Sequence, residues 1–216
     1  MTHTLHRFGD RRNDFPWLIT PREGVNTDNL PEKLGKVIQI IDKVGIRMWG
    51  FGACKNVLMT SREQLVKELM DVAQKSPARA RLRGVCTSKE QLKEFIRELK
   101  EANLGLSVTV SGLIEEIFDI CKELGIKPHS INFSLGVWGK RELLPKEGIL
   151  EITTMCGHGL VSPRLVEYVL NEIKHGRMTP KAAATLLAKQ CTCGVFNVER
   201  AEKLLENLLK RDEDVA

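Results

Sequence analysis

Residues 82–135 alternate between short apolar stretches with strand spacing and longer amphipathic stretches with helical spacing. The predicted strands are Leu82–Thr87, Leu106–Val110 and Ser130–Leu135. Only a few residues connect each strand to the helix that follows it. This alternation is typical of right-handed βαβ units, whose strands lie parallel in one sheet. It constrains the fold more than any other feature of the chain.

The same pattern extends toward both ends of this region. Ile149–Thr154 is predicted as a fourth strand, and Ile46–Gly52 as a strand that leads into a glycine-rich loop. Asp14–Pro21 is at most a short edge strand, because Pro16 lacks the N–H that an interior strand would use. Pro31–Val44 has apolar residues at helical spacing and is predicted as a helix.

The C-terminal part reads as helical. Ser162–Pro163 and Thr179–Pro180 each supply an N-cap followed by proline at the first helical position, and Asn197 caps the last helix. We therefore predict an α/β fold with a mostly parallel sheet and flanking helices, followed by a helical part. The predicted division is an α/β domain over 1–160, with an irregular N-terminal segment, and a helical subdomain over 161–216.

Composition narrows the classes of function. No apolar run is long enough to span a membrane, and no signal peptide is recognisable at the start, so a cytoplasmic location is expected. The six cysteines are then expected to be reduced thiols or metal ligands. The net charge of +5 comes with interleaved lysine and glutamate and without a nucleic-acid motif, so no nucleic-acid partner is expected.

The first cysteine motif is Met155-Cys-Gly-His-Gly159, which follows a predicted strand and precedes a predicted helix. Ligands bind at such strand ends, and a helix N-terminus favours anions. Cys156 and His158 are therefore candidate catalytic residues and candidate metal ligands. Gly157 and Gly159 are candidate cofactor-binding residues, because glycine lets several backbone N–H groups converge. The alternative is a tight turn that holds a small buried cysteine.

The second motif is Cys191-Thr-Cys193-Gly194, after the helix that begins at Thr179. Two thiolates one residue apart can reach one metal ion or one cluster, although zinc fingers use a longer spacing. A redox dithiol is the rival interpretation. With Cys156 there are three thiolates, and the fourth ligand is His158, Cys54 or an exchangeable substrate.

Other residues have weaker claims. Cys54 lies in a glycine-rich loop and is a possible ligand, whereas Cys86 and Cys121 fit buried core positions. His3, His6 and Arg7 would line a pocket if the N-terminal segment were tied down over the sheet.

Met155-Cys-Gly-His-Gly159 resembles the segment around one catalytic cysteine in the proline racemase family. In that family the turn also starts a helix and holds a substrate carboxylate. The resemblance covers these five residues, and Cys193-Gly-Val-Phe196 departs from the family's second cysteine turn. It implies an anion-holding geometry for the turn around Cys156.

We therefore expect a cytoplasmic metal-binding protein with a small-molecule pocket beside the metal, acting as an enzyme or a redox protein. An iron–sulfur cluster, such as a 4Fe–4S cluster, is favoured over zinc because thiolates dominate the ligand set. The alternative is a metal-free cysteine enzyme of the isomerase or lyase type, which uses Cys156 on a small carboxylate. A third hypothesis is a binding or assembly protein whose cysteines only pack.

Overall fold

The computed structural model describes residues 4–52 and 55–213, which form a five-stranded sheet with helices against it. The strands are β1 (Phe15–Thr20), β2 (Met48–Phe51), β3 (Lys55–Asn56), β4 (Leu82–Cys86) and β5 (Ser107–Val110), in the spatial order β3-β2-β4-β1-β5. Every pair of neighbouring strands is antiparallel. The prediction of a mostly parallel sheet is therefore wrong.

The error has a topological cause. β4 and β5 run in the same direction and are joined by a helix, as a βαβ unit requires, but β1 lies between them and runs the opposite way. In the same manner β4 separates β1 from β2. Two split βαβ units therefore interleave, each filling the gap in the other, so that no two parallel strands are neighbours.

β1 is an interior strand, which corrects its prediction as a short edge strand. It pairs with β4 on one side and with β5 on the other. The Pro16 carbonyl accepts a hydrogen bond from the Ser111 N–H at 2.8 Å. In an antiparallel pair a residue's N and O point to the same neighbour, so the N–H that proline lacks would also face Ser111. The N–H that Pro16 lacks would lie beyond the end of β5, and its absence interrupts no hydrogen bond between β1 and β4.

Two further predicted strands are absent from the described residues. Ile149–Thr154 lies mostly within a short helix, since its buried residues Ile149, Leu150 and Ile152 follow helical spacing. Ser130–Leu135 belongs to neither a helix nor a strand and is exposed along its whole length. Apolar alternation alone does not provide the neighbouring strand that pairing requires.

Eight α-helices are formed by the described residues. They are α1 (Leu30–Val44), α2 (Arg62–Lys75), α3 (Lys89–Ala102), α4 (Ile114–Glu123), α5 (Glu147–Thr153), α6 (Pro163–Lys174), α7 (Pro180–Gln190) and α8 (Val198–Glu213). The predicted caps of the C-terminal helices are confirmed: Ser162 and Thr179 accept from backbone N–H groups of the first turn, and Asn197 accepts from Arg200 N at 3.0 Å.

Two hydrophobic clusters share the sheet. The first contains Trp17 of β1, Trp49 of β2 and apolar residues of α1, α2 and α3. The second contains Met48 and Val85 from the sheet with apolar residues of α5 to α8. Because successive strand residues point to opposite faces, Met48 and Trp49 join different clusters. The division of the chain at residue 160 stays a prediction. In the described part of the chain, no helix has the length and apolarity needed to cross a bilayer.

Candidate functional site

Both cysteine motifs lie in turns between helices of the second hydrophobic cluster. Cys156 follows α5 and precedes α6, whereas Cys191 and Cys193 lie between α7 and α8. All three side chains are buried. The thiols of Cys156 and Cys191 are near enough to shift each other's pKa, and so are those of Cys191 and Cys193. The fold thus brings together three sulfurs that the sequence separates into two turns.

His158 extends this row of thiols toward solvent. Its Nδ1 lies 3.2 Å from the Cys193 sulfur, although the residue itself is exposed. Gly157 and Gly159 flank it and are also exposed, and Gly159 adopts a left-handed backbone conformation with φ of 69°. The His158 imidazole is therefore the point at which the buried sulfurs meet the surface.

The three thiols differ in acidity. The hydrogen bond with Cys191, together with burial, raises the pKa of Cys156 far above its usual range. The pKa of Cys191 is raised to about 11, since its bond with Cys156 lowers the value but its bond with Cys193 and its burial outweigh that effect. The pKa of Cys193 is lowered, first by the hydrogen bond from Cys191 and then by the positive charge of Arg83, against the effect of burial. Of the three thiols, Cys193 is the one whose surroundings favour the thiolate.

Arg83 is a site residue that sequence reasoning missed. It lies on β4, and its guanidinium is near enough to the Cys193 sulfur to lower the pKa of that thiol. The buried Nε of Arg83 has no hydrogen-bond partner among the described residues. An arginine between the apolar residues of a predicted strand is the signal that could have pointed to it, because a half-buried cation needs a counter-charge.

Backbone amides also point at the sulfurs. Cys156 accepts from the backbone of Leu160 and of His158, and Cys191 accepts from the backbone of Val195. Each of these bonds lowers the pKa of the thiol that accepts it, because an N–H donor favours the thiolate. The glycine-containing turns thus provide N–H donors, as their sequence predicts.

A buried arginine joins the two turns. Arg7 donates to the carbonyl of Met155 at 3.0 Å and to the carbonyl of Val195. These two residues lie beside Cys156 and Cys193, so one guanidinium fixes the backbone of both turns. The sequence raised Arg7 only as a possible pocket residue. His6, also considered there, is exposed near Ser134, and His3 lies outside the described residues.

Asp14 balances the charge of Arg7. Its carboxylate pairs with Arg7 and, at 2.8 Å, with Arg200 of α8, while Asn197 donates to it at 3.1 Å. The Asp14 side chain is fully buried and both arginines are nearly so. Arg7, Arg200 and Asn197 together supply the hydrogen bonds that a buried carboxylate needs.

Strands of the sheet contact the second turn and support it. Asn56 of β3 donates to the Cys191 carbonyl at 2.8 Å and accepts from Leu58 N at 2.8 Å. Gly194, with φ of 74°, lies against the backbone of Trp49 and Gly50. Cys54, the remaining predicted ligand, lies outside the described residues.

Within residues 4–52 and 55–213, no group of three or more His, Cys, Asp or Glu side chains is arranged so as to hold a metal ion. The three cysteines are free thiols. A cleft of about 290 Å³ is lined by Phe8, Arg141, Leu144, Pro145, Glu147 and Leu150, and none of these is a cysteine. Compared with known proteins, the chain matches no family model, no curated protein and no solved structure.

Proposed function

We propose that the protein binds a metal centre through the thiolates of Cys156, Cys191 and Cys193. His158 is the fourth ligand or a hydrogen-bonding neighbour. An iron–sulfur cluster is the first candidate and a zinc ion the second. The observation that carries this proposal is the proximity of three buried thiols, from two turns that lie far apart in the sequence, which influence one another's pKa.

The surroundings of the sulfurs fit such a centre. Backbone donors from Leu160 and Val195 would stabilise thiolate charge, and so would the guanidinium of Arg83. Hydrogen bonds to sulfur are one of the means by which proteins tune iron–sulfur clusters. Metal binding requires the three thiols to lose their protons and to turn toward a common point, because the described residues hold no group of three ligands already arranged around one ion.

One observation favours zinc as the second candidate. A tetrahedral ion with metal–sulfur bonds of 2.3 Å keeps its sulfurs about 3.8 Å apart. The three side chains are near enough to shift one another's pKa, so the close spacing of a zinc site asks less rearrangement of them than a cluster does. In a cluster each thiolate binds a different iron, so the two turns would have to separate further.

The exposed side of the site suits a small molecule. Three protein ligands and one open position are the pattern of catalytic rather than structural metal sites. His158 lies on that side, and Arg83 supplies positive charge beside Cys193. The proposed partner is therefore a small anion or carboxylate. A cytoplasmic location fits this proposal, since a reducing compartment keeps thiols available as ligands.

The metal-free cysteine enzyme remains the second proposed function, because one pair of residues favours it. Cys193 has the lowered pKa, and its sulfur lies 3.2 Å from the His158 imidazole. A thiolate beside an imidazole is the usual arrangement of a cysteine nucleophile. In this mechanism the Cys193 thiolate attacks the substrate, and the Cys156 thiol stays protonated.

The test is metal and sulfide analysis of protein purified without oxygen. Cys156→Ser, Cys191→Ser and Cys193→Ser should each lose the metal, and Cys121→Ser is the matched control because Cys121 is a buried cysteine of α4 outside the thiol cluster. Iron with sulfide and visible absorption identifies a cluster, and colourless protein with zinc identifies the second candidate. Circular dichroism confirms that each variant is folded.

Two outcomes would contradict metal binding. One is wild-type protein without iron or zinc after anaerobic purification and after reconstitution with either metal. The other is metal that persists in all three serine variants. Metal-free protein in which Cys193 is alkylated and a small carboxylate protects it would support the cysteine enzyme instead.

A further inference from the structure

Residues 130–138 form an exposed apolar segment, which we call the 130–138 segment. It contains no helix, hydrogen-bonded turn or bend. Its apolar side chains are Ile131, Phe133, Leu135, Val137 and Trp138, which are between 39% and 85% exposed. Monomeric soluble proteins rarely leave so many neighbouring apolar side chains in water, and those that do usually bind a partner there.

The segment has the sequence of a strand but no neighbour to pair with. Apolar residues at 131, 133, 135 and 137 alternate with Asn132, Ser134 and Gly136. This period of two would place the apolar side chains on one face. No strand in the described part of the chain pairs with it. Within the described residues its backbone makes two hydrogen bonds, from Gly136 N to Ser134 Oγ at 3.2 Å and from Trp138 Nε1 to the Leu135 carbonyl at 2.9 Å. The remaining N–H and C=O groups of the segment are thus available to the edge of a sheet.

The same chain carries an open sheet edge. β5 lies at the end of the strand order and pairs only with β1 in the described residues. Because Ser111 N bonds to Pro16 O, the alternation of an antiparallel pair directs Thr109 and Ser107 toward β1 as well. The backbone groups of Val108 and Val110 therefore face the open edge. Such an edge invites pairing with another chain.

Charge complementarity indicates what pairs with this edge. Residues 126–141 contain Lys127, Lys140 and Arg141 and no carboxylate. Glu115 and Glu116 lie in the first turn of α4, just after β5. One Glu116 carboxylate oxygen is buried without a hydrogen-bond partner among the described residues. Cations at both ends of the segment and carboxylates beside the edge make the two surfaces attractive to each other.

We propose that the 130–138 segment of one copy pairs with the open edge of β5 of a second copy. The exchange is reciprocal, because each copy has one segment and one edge, and two such contacts close a two-fold dimer. The apolar face of the segment then covers Val108 and Phe118, which are exposed on β5 and α4. This inference is independent of the proposed metal centre.

The test is the mass of the full-length protein in solution, measured by sedimentation or light scattering. Wild type is expected to be a dimer. The double variant Phe133→Glu with Leu135→Glu should be a monomer, because it places charge on the apolar face. Val108→Pro should also be a monomer, because it removes an N–H that faces the open edge and leaves the bonds to β1 intact. Val25→Glu is the matched control, since Val25 is 70% exposed elsewhere, and it should stay a dimer.

Hydrogen exchange distinguishes the loss of the contact between copies from a general change in folding. In wild type the amides of Val108 and Val110 are expected to be protected. The substitutions at Phe133 and Leu135 should increase the exchange of both amides while the amides of β1 stay protected. A wild type that is monomeric at every concentration contradicts the proposal, whether or not it binds another protein. Dimers that persist in both the glutamate and the proline variants also contradict it.

Discussion

The two cysteine-bearing turns differ in how firmly the rest of the molecule holds them. In the second turn, Cys191 and the residues from Cys193 to Asn197 are buried, and Asn56 and Arg7 fix its carbonyl groups. In the first turn only the base is held: Met155 and Cys156 are buried, and 157–160 is exposed. One turn is part of the core, and the other reaches the surface.

This difference indicates how a metal would be held. A fixed pair of thiols sets the position of the centre, whereas the exposed turn with His158 offers a ligand that can exchange with substrate or solvent. The two turns thus differ in the burial of their backbone and not only in the number of ligands they offer. The buried second turn anchors the site, and the exposed first turn makes it accessible. Substitutions in and around the two turns test this distinction through their effects on the free energy of unfolding and on metal binding.

Asp14→Asn should weaken both turns together. The change leaves Arg7 and Arg200 buried without their shared carboxylate, and loss of one partner of a buried ion pair costs about 3–5 kcal/mol in the free energy of unfolding. Urea unfolding measures it. Asp10→Asn is the control, because Asp10 pairs with Arg12 at the surface and should cost less than about 1 kcal/mol. Equal effects of the two substitutions would argue against the buried network.

Gly194→Ala and Gly159→Ala compare the turns directly. Both glycines have a positive φ, so alanine costs about 1–2 kcal/mol at either position. At Gly194 the added methyl would lie 2.5 Å from the Trp49 carbonyl carbon, whereas at Gly159 it meets open space. Overpacking should add about 1–3 kcal/mol at Gly194 alone. Thermal or urea unfolding of both variants checks this order, and the reverse order would show that the second turn is not anchored on the sheet.

Arg83→Gln should weaken metal binding more than it weakens folding. The substitution removes the positive charge and the hydrogen bond that favour the Cys193 thiolate. Loss of such a supporting group typically costs about 10-fold or more in metal affinity. Competition with a chelator measures the affinity, and Arg83→Lys, which keeps the charge, should lose less. Unchanged affinity in Arg83→Gln would remove Arg83 from the site.

His158→Ala should have the smallest effect on stability. An exposed side chain typically contributes within about 0.5 kcal/mol to the free energy of unfolding. The rate at which a chelator removes the metal should nevertheless rise, because the ligand on the accessible side is gone. Stopped-flow metal transfer measures that rate. An unchanged rate would mean that His158 neither binds nor shields the metal.

Local structure could be predicted from the sequence better than topology. The helices at Ser162, Thr179 and Asn197 begin where their caps indicate, because a cap and its first turn are close in sequence. The prediction of a parallel sheet was wrong. The strand that lies beside β1 is chosen by contacts between residues far apart in the sequence. Ile149–Thr154 was assigned to a strand because its apolar residues fit either period over so short a length.

The same difference between local and long-range contacts applies to the candidate site. Cysteine and glycine spacing indicated two turns that face one another, and the structure places their thiols in contact. Arg83 and the Asp14 network could not be found by spacing, because their partners lie far away in the sequence. Whether the contacting thiols bind metal stays a prediction.

The central claim is that the three thiols act together as metal ligands. X-ray absorption at the metal edge of anaerobically purified protein tests it most directly. Thiolate ligation predicts sulfur neighbours near 2.3 Å from the metal, about three for zinc and about four, including bridging sulfide, for an iron–sulfur cluster, and loss of most of the bound metal and its sulfur neighbours in Cys193→Ser. A metal surrounded only by nitrogen and oxygen, or sulfur neighbours that stay unchanged in Cys193→Ser, would contradict it.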